Sequence, residues 1–194
     1  MIAIIDYKMG NLRSVENALR RLGAEFVVTA DAGQIRKADK VLLPGVGNAA
    51  EAMENLRKAG LVEVIRSLRR PVLGICVGMQ VMCRHSEEGN VDCLGIFDAR
   101  VKRFVPSADE KVPHMGWNSI GNLETKLFKD IKGGEMVYFV HSYYPELCPD
   151  TIATTRHGVM FSAALKYENF YGTQFHPEKS GDVGERIIAN FLKL

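Results

Sequence analysis

The stretch VLGICVGMQ, residues 72 to 80, sets Cys76 midway between Gly74 and Gly78, after an apolar run and before a helix-like one. This G-x-C-x-G spacing mirrors the G-x-S-x-G elbow that lifts a nucleophile out at the end of a strand. Flanking side chains would collide on so tight a turn, so glycine leaves room for the strained backbone between them. A helix expected from Met79 to Arg84 would aim its amino-terminal dipole at the sulfur and favour the thiolate, the reactive form. The amide of Val77 would point the same way, ready to stabilise an oxyanion on a carbonyl attacked by Cys76.

A thiol nucleophile needs a base and a group that orients the base. GTQFHPEKS, residues 172 to 180, offers His176 and Glu178 two positions apart. Pro177 pushes the residue before it out of the helical region, so the segment reads as extended, and residues two apart then face one side. Glu178 can accept the second imidazole N–H, fix the tautomer and support the positive charge. By itself HPE is better read as a surface turn with a chance pairing. LPGVG, residues 43 to 47, is a tight turn after a strand. Gly45, Gly47 and Ala50 also match G-x-G-x-x-A, but the match follows the third strand and no acidic residue ends the next one, which argues against a dinucleotide site. The turn is better used to present a second backbone N–H, from Val46 or Gly47, opposite that of Val77, completing an oxyanion hole.

These residues need a scaffold that gathers strand ends. IAIID (2 to 6), NLRSVENALRRL (11 to 22) and FVVT (26 to 29) form a βαβ signature, with Leu12, Val15, Ala18 and Leu19 on one helix face. KVLLPG (40 to 45) reads as a third strand, helical stretches follow from Asn48 to Arg69, and PVLGI (71 to 75) is apolar enough for a strand covered on both faces. In the second half FDARVKRF, EMVYFVHSYY, TIATTRHG and ALKYENFYGTQF read as mostly antiparallel strands added to the same sheet, closed by the helix VGERIIANFLKL. The expected fold is α/β, flavodoxin-like, with a mixed, mostly parallel sheet, helices on both faces and antiparallel additions in the C-terminal half. The 194 residues are expected to form one domain.

Composition narrows the function classes. Lys+Arg 25 against Asp+Glu 23 leaves a formal charge of +2, with no basic footprint for nucleic acid. The longest uncharged run, PVLGICVGMQVMC, is too short to span a bilayer, and Asp6 interrupts the N-terminal apolar run, so a cytoplasmic protein is expected. Cys76, Cys83, Cys93 and Cys148 show no CxxC pair. A metal shared by Cys83, Cys93 and His85 is a weaker reading than small buried thiols in a reducing compartment. The chemistry calls for no metal and no cofactor.

With Cys76, His176 and Glu178 in this order, the chain resembles the class I glutamine amidotransferases, whose motifs are G-x-C-x-G-x-Q and H-P-E. DYxxGNLRSV (6 to 15), LPGVG, LGICVGMQ, VPHMGWN (112 to 118), FVHSYY (139 to 144) and GTQFHPEKS resemble in particular the branch that serves as glutaminase subunit of imidazole glycerol phosphate synthase. The resemblance implies L-glutamine as substrate and, as partner in a heterodimer, a (β/α)8-barrel cyclase subunit that consumes the ammonia. It also implies that Gln80, Glu88, Ser142 and Tyr143 lie near the bound glutamine, and that His114 and Trp117 lie towards the ammonia exit and the partner. Without the resemblance, Gln80 and Glu88 read as a solvated helix face and a loop charge, His114 as a loop histidine and Trp117 as a partly buried tryptophan. Val77 stands where leucine is usual, and NAA follows the PGVG turn where an aromatic residue or histidine is common; both changes leave the backbone amides in place. Two rivals keep the same residues: a free-standing amide hydrolase, and a thiol redox or binding protein in which HPE is incidental.

Overall fold

The computed structural model describes residues 1–107 and 110–194. The first half runs β1 (Ile2–Ile5), α1 (Leu12–Arg21), β2 (Phe26–Thr29), α2 (Ala32–Lys37), β3 (Lys40–Gly45), α3 (Ala49–Lys58), α4 (Val62–Arg66) and β4 (Val72–Cys76), followed by a single turn of helix, α5 (Val77–Gln80). The second half runs β5 (His85–Ser86), β6 (Val91–Asp92), β7 (Arg100–Arg103), β8 (His114–Ser119), β9 (Met136–His141), β10 (Tyr143–Pro145), β11 (Thr151–His157), β12 (Val159–Tyr167), β13 (Phe170–Thr173) and α6 (Gly181–Leu192).

The central sheet has the order β11-β12-β13-β4-β3-β1-β2. The run from β2 to β13 is parallel and follows the doubly wound 2-1-3-4-5 pattern; β12 and β11 add antiparallel strands at one edge. From β1 to β2 the chain moves one way along the sheet, and from β2 to β3 the other way. Right-handed crossovers therefore put α1 and α2 on opposite faces. The packing agrees, since α1 touches α6 while α2 touches α4. Every residue of β1 and β4 is buried, as double coverage requires, and each large aliphatic side chain there contributes roughly 1.5–3 kcal/mol.

Three expectations need correction, and one helix was not expected. Only β11 and β12 extend the central sheet in antiparallel fashion. The strands β10-β7-β5-β6 form a sheet of their own and β8-β9 a separate two-stranded ribbon, because their partners are fixed by long loops that local patterning does not reveal. ALKYENFYGTQF is not one strand but parts of β12 and β13 joined by a turn. Glu168 takes φ 49 there without a glycine to announce it, and Asn169 Nδ2 ties the tip to the Leu68 and Arg70 carbonyls at 3.2 and 2.8 Å. The helix expected over Met79–Arg84 is one turn, Val77–Gln80, so its dipole on Cys76 is small. Helix α2 has no counterpart in the sequence pattern because six residues are too few to show a period, although Asp31 caps it by accepting from the Gln34 amide at 2.8 Å.

Candidate active site

The parallel pair β4 and β13 places Thr173 beside Ile75, so Cys76 and His176 leave adjacent strands at their carboxyl ends. In an open parallel sheet this is the rim where ligands are held. Cys76 has φ 55 and ψ −113, a conformation that costs a non-glycine residue on the order of 1–3 kcal/mol and requires firm support. The support is visible in the packing. A Cβ on Gly78 would lie 1.7 Å from the Leu43 carbonyl oxygen, and one on Gly74 2.8 Å from the Gly78 carbonyl, so the elbow closes against β3 only with glycine at both positions.

His176 Nδ1 lies 2.7 Å from Glu178 Oε1, and both side chains are only 2% exposed. The segment is not extended as the sequence suggested. His176 is extended, but Pro177–Lys179 forms a 3-10 turn, with the Lys179 amide donating to the His176 carbonyl, and this turn swings Glu178 back under the ring. The His176 amide donates to the Tyr138 carbonyl at 2.9 Å and Ser180 Oγ donates to the His176 carbonyl at 2.6 Å, which pins the backbone of the base. Burial opposes charge on His176, but the Cys76 thiolate and the Glu178 carboxylate outweigh it and push the imidazole up to about 10. Among the described residues Nε2 is buried with no aligned hydrogen-bond partner, a common state of such sites before substrate binds.

A cavity of about 170 Å³, suited to a molecule of amino-acid size, opens over these groups. Its wall includes Cys76, Val77 and His176, the turn residues Val46 and Gly47, and also Gln80, Glu88, Ser142 and Tyr143. Val77 is the first helical residue, so no carbonyl within its helix uses its amide. Glu88 is not a free loop charge: Oε2 accepts from the Ala49 amide at 2.8 Å, joining the loop after β5 to the start of α3. Burial raises its pKa and that bond lowers it, with burial dominant. In the NAA segment, Asn48 caps α3 through the amides of Ala50 and Glu51 at 2.8 and 3.2 Å. Gln80 is 2% exposed and not on a solvated face.

Behind the cavity lies a chain of hydrogen bonds whose direction is fixed by its end. The Tyr143 carbonyl can only accept, so His141 Nδ1, 2.7 Å away, must carry the proton. His141 Nε2 then accepts from His114 Nδ1 at 2.8 Å, and His114 Nε2 accepts from Asn118 Nδ2 at 3.2 Å. Both rings are neutral. Burial first, and then neighbouring histidines, lower His114 to about 4 and His141 to about 3, although the bond to Tyr143 pulls His141 the other way. His114 is not a loop histidine: it lies in β8, buried and stacked on His157 at 4.2 Å between ring centroids. Trp117 is 54% exposed on the outer face of the β8-β9 ribbon, opposite Tyr138. Among the described residues no three His, Cys, Asp or Glu side chains gather as a metal site, and no helix is long and apolar enough to cross a membrane.

Residues 3–194 match the family model for glutamine amidotransferase class-I. The chain belongs to the class I glutamine amidotransferase family. Within it, the chain is 58% identical over 194 residues to the imidazole glycerol phosphate synthase subunit HisH of Bacteroides thetaiotaomicron, covering 100% of this chain and 99% of that one. It is 46% identical over 193 residues to the HisH subunit of Idiomarina loihiensis, covering 100% and 97%. The fold is that of a glutamine amidotransferase from Thermotoga maritima, with a TM-score of 0.64 at 20% identity, over 99% of this chain and 82% of that one. A putative GMP synthase protein from Thermoplasma acidophilum superposes with a TM-score of 0.76 at 22% identity, over 99% and 92%. Sequence reasoning missed two residues of this class I site. His141 lines the cavity, and Gln174 reaches the cysteine itself; each sits inside a motif, FVHSYY or GTQFHPEKS, but nothing in its spacing announces a role.

Proposed function

We propose that this chain hydrolyses L-glutamine to glutamate and ammonia at Cys76 and supplies the ammonia to a (β/α)8-barrel cyclase subunit of imidazole glycerol phosphate synthase, in histidine biosynthesis. One observation carries the reading: a cysteine held at a strained elbow beside a buried histidine–carboxylate pair, on the wall of a cavity of amino-acid size. The 58% and 46% identity to HisH subunits over nearly the whole length supports the choice of glutamine and of the partner.

Glutamine's amide is a poor electrophile and ammonia a poor leaving group, so covalent catalysis divides the barrier. The Cys76 thiolate attacks the side-chain carbonyl carbon. The oxyanion is held by the Val77 amide and by one from Val46 or Gly47. His176, charged and steadied by Glu178, gives its proton to the departing nitrogen, leaving a glutamyl thioester, and then activates the water that releases glutamate. Glu88, Ser142 and the oxygen of Gln80 are placed to meet the amino-acid end of the substrate. Met115, Trp117, Tyr138 and Met136 share the outer face of the ribbon beside the site, and the exposed apolar part of that face is where the cyclase would dock.

The test uses Cys76→Ala in complex with the cyclase. Glutamine-driven turnover should vanish, while turnover with ammonia supplied at high pH should match the unaltered complex. Residual glutaminase activity near wild type sinks the nucleophile assignment. A complex dead with ammonia as well, or a chain that hydrolyses glutamine at full rate with no response to any cyclase, favours the free-standing hydrolase.

A further inference from the structure

Gln174 lies two residues before His176 with its side chain completely buried, which is costly for an amide unless both ends are used. Both are. Nε2 sits 3.6 Å from Cys76 Sγ, and Oε1 lies 2.9 Å from Gln80 Nε2. An amide placed between two polar neighbours could in principle face either way, and the direction decides the chemistry. With its oxygen towards the sulfur it would favour the neutral thiol; with its nitrogen towards the sulfur it favours the thiolate.

The direction follows from the far end of the chain of bonds. Gln80 Nε2 lies 3.0 Å from the Tyr143 carbonyl, which has no proton to give. A Gln80 amide turned round would set two carbonyl oxygens against each other in a buried place. Gln80 must therefore offer its NH2 to Tyr143, and the second proton of that NH2 goes to Gln174 Oε1. With its oxygen so occupied, Gln174 has only N–H left for the sulfur. Tyr143 itself is held from the other side by His141, so the carbonyl at the end of the chain is fixed as well.

We propose that Gln174 is a catalytic residue of the cysteine site, a fixed N–H donor to the Cys76 sulfur that stabilises the thiolate, with Gln80 as the positioning residue that imposes its direction. This rests on the reading of Cys76 as the nucleophile. It also gives Gln80 a task apart from contact with substrate, because both of its amide protons are spent within the protein. The helix after the elbow is one turn long, so the side-chain amide and the charged His176 supply the stabilisation that a longer helix would have lent. When the thioester is hydrolysed, sulfur regains its negative charge as the leaving group, and the same donor is waiting for it.

The experiment follows alkylation of Cys76 by iodoacetamide across pH in the full chain, reading the Cys76 adduct by peptide mass so that the other three cysteines do not intrude. Gln174→Met keeps the bulk and removes the donor, and should slow Cys76 alkylation at pH 7 on the order of 10-fold, the deficit shrinking as pH rises. Gln174→Glu should slow it further through repulsion, and Gln80→Met, which frees Gln174 to turn, should fall between Gln174→Met and wild type. In glutamine hydrolysis, kcat should fall with little change in KM. Alkylation of folded Gln174→Met at the wild-type rate across the whole pH range overturns the proposal, whereas retained glutaminase activity in Cys76→Ala overturns the nucleophile reading instead. If the variants do not fold, the 15N-labelled side-chain amide of Gln174 in the wild-type chain should shift when Cys76 is alkylated, and an unmoved resonance overturns the proposal equally.

Discussion

Glu178 and His176 share one hydrogen bond in almost complete burial, and the two residues do different work. In the proposed mechanism the imidazole exchanges protons with sulfur, nitrogen and water, whereas the carboxylate holds one tautomer and favours the charged ring. Among the described residues Glu178 Oε2 has no hydrogen-bond partner, so the bond to His176 is the one the carboxylate makes there. Glu178→Gln keeps the shape and removes the charge. Glutamine hydrolysis should therefore drop by on the order of 10- to 1,000-fold, less than for His176→Ala, since members of such a unit contribute unequally. Equal losses in steady-state kcat for the two variants would show that Glu178 takes part in proton transfer directly.

At the scale of elements, the 3-10 turn carrying the base is seated on α6, and the seat has no slack. A Cβ on Gly184 would stand 1.9 Å from the Pro177 carbonyl oxygen and 2.7 Å from the Ser180 Cβ. Ser180 in turn holds the His176 carbonyl and accepts from the Tyr138 amide at 2.9 Å, so a push at Gly184 travels along two bonds into the imidazole's backbone. Gly184→Ala should lower glutaminase kcat on the order of 10²-fold by displacing His176 from the sulfur. It should also cost roughly 1–3 kcal/mol of stability, as overpacking does. A folded Gly184→Ala chain with wild-type kcat, measured beside its urea midpoint, would show that α6 yields without moving the turn.

For the whole molecule, the neutral histidine chain links stability to pH. His114 and His141 have folded pKa values lowered to about 4 and about 3, below the ordinary value of 6.5, so between those limits the unfolded chain binds more protons than the folded one. Their contribution is fully present above about pH 6.5 and is lost as pH falls towards 4 and then 3. At pH 5 the loss amounts to roughly 2 kcal/mol for each ring. The urea midpoint should fall clearly between pH 7 and pH 5. The double variant His114→Gln, His141→Gln, which keeps hydrogen-bonding groups but cannot titrate, should show a much smaller fall. A wild-type midpoint that does not move, or a double variant that falls as far as wild type, would mean that other groups govern the acid limb.

The sequence by itself determined the parallel half of the sheet, because uninterrupted apolar runs such as IAII and VLGIC belong only in strands covered on both faces, and local pattern is enough to find them. It also determined the elbow at Cys76, since the steric demand that puts glycine at 74 and 78 is met within five residues. The pairing of His176 with Glu178 was likewise legible in HPE, although the contact is made by a turn and not by an extended chain. Only the tertiary structure decided what depends on non-local pairing. It brought β13 beside β4 across about a hundred residues of chain, and it split the later strands into a separate sheet and a ribbon. It set Glu88 on the start of α3 and aimed the Gln174 amide at Cys76. A buried amide carries no period and no signature spacing; its role exists only when the carbonyl, amide and sulfur around it have been assembled from strands distant in the chain.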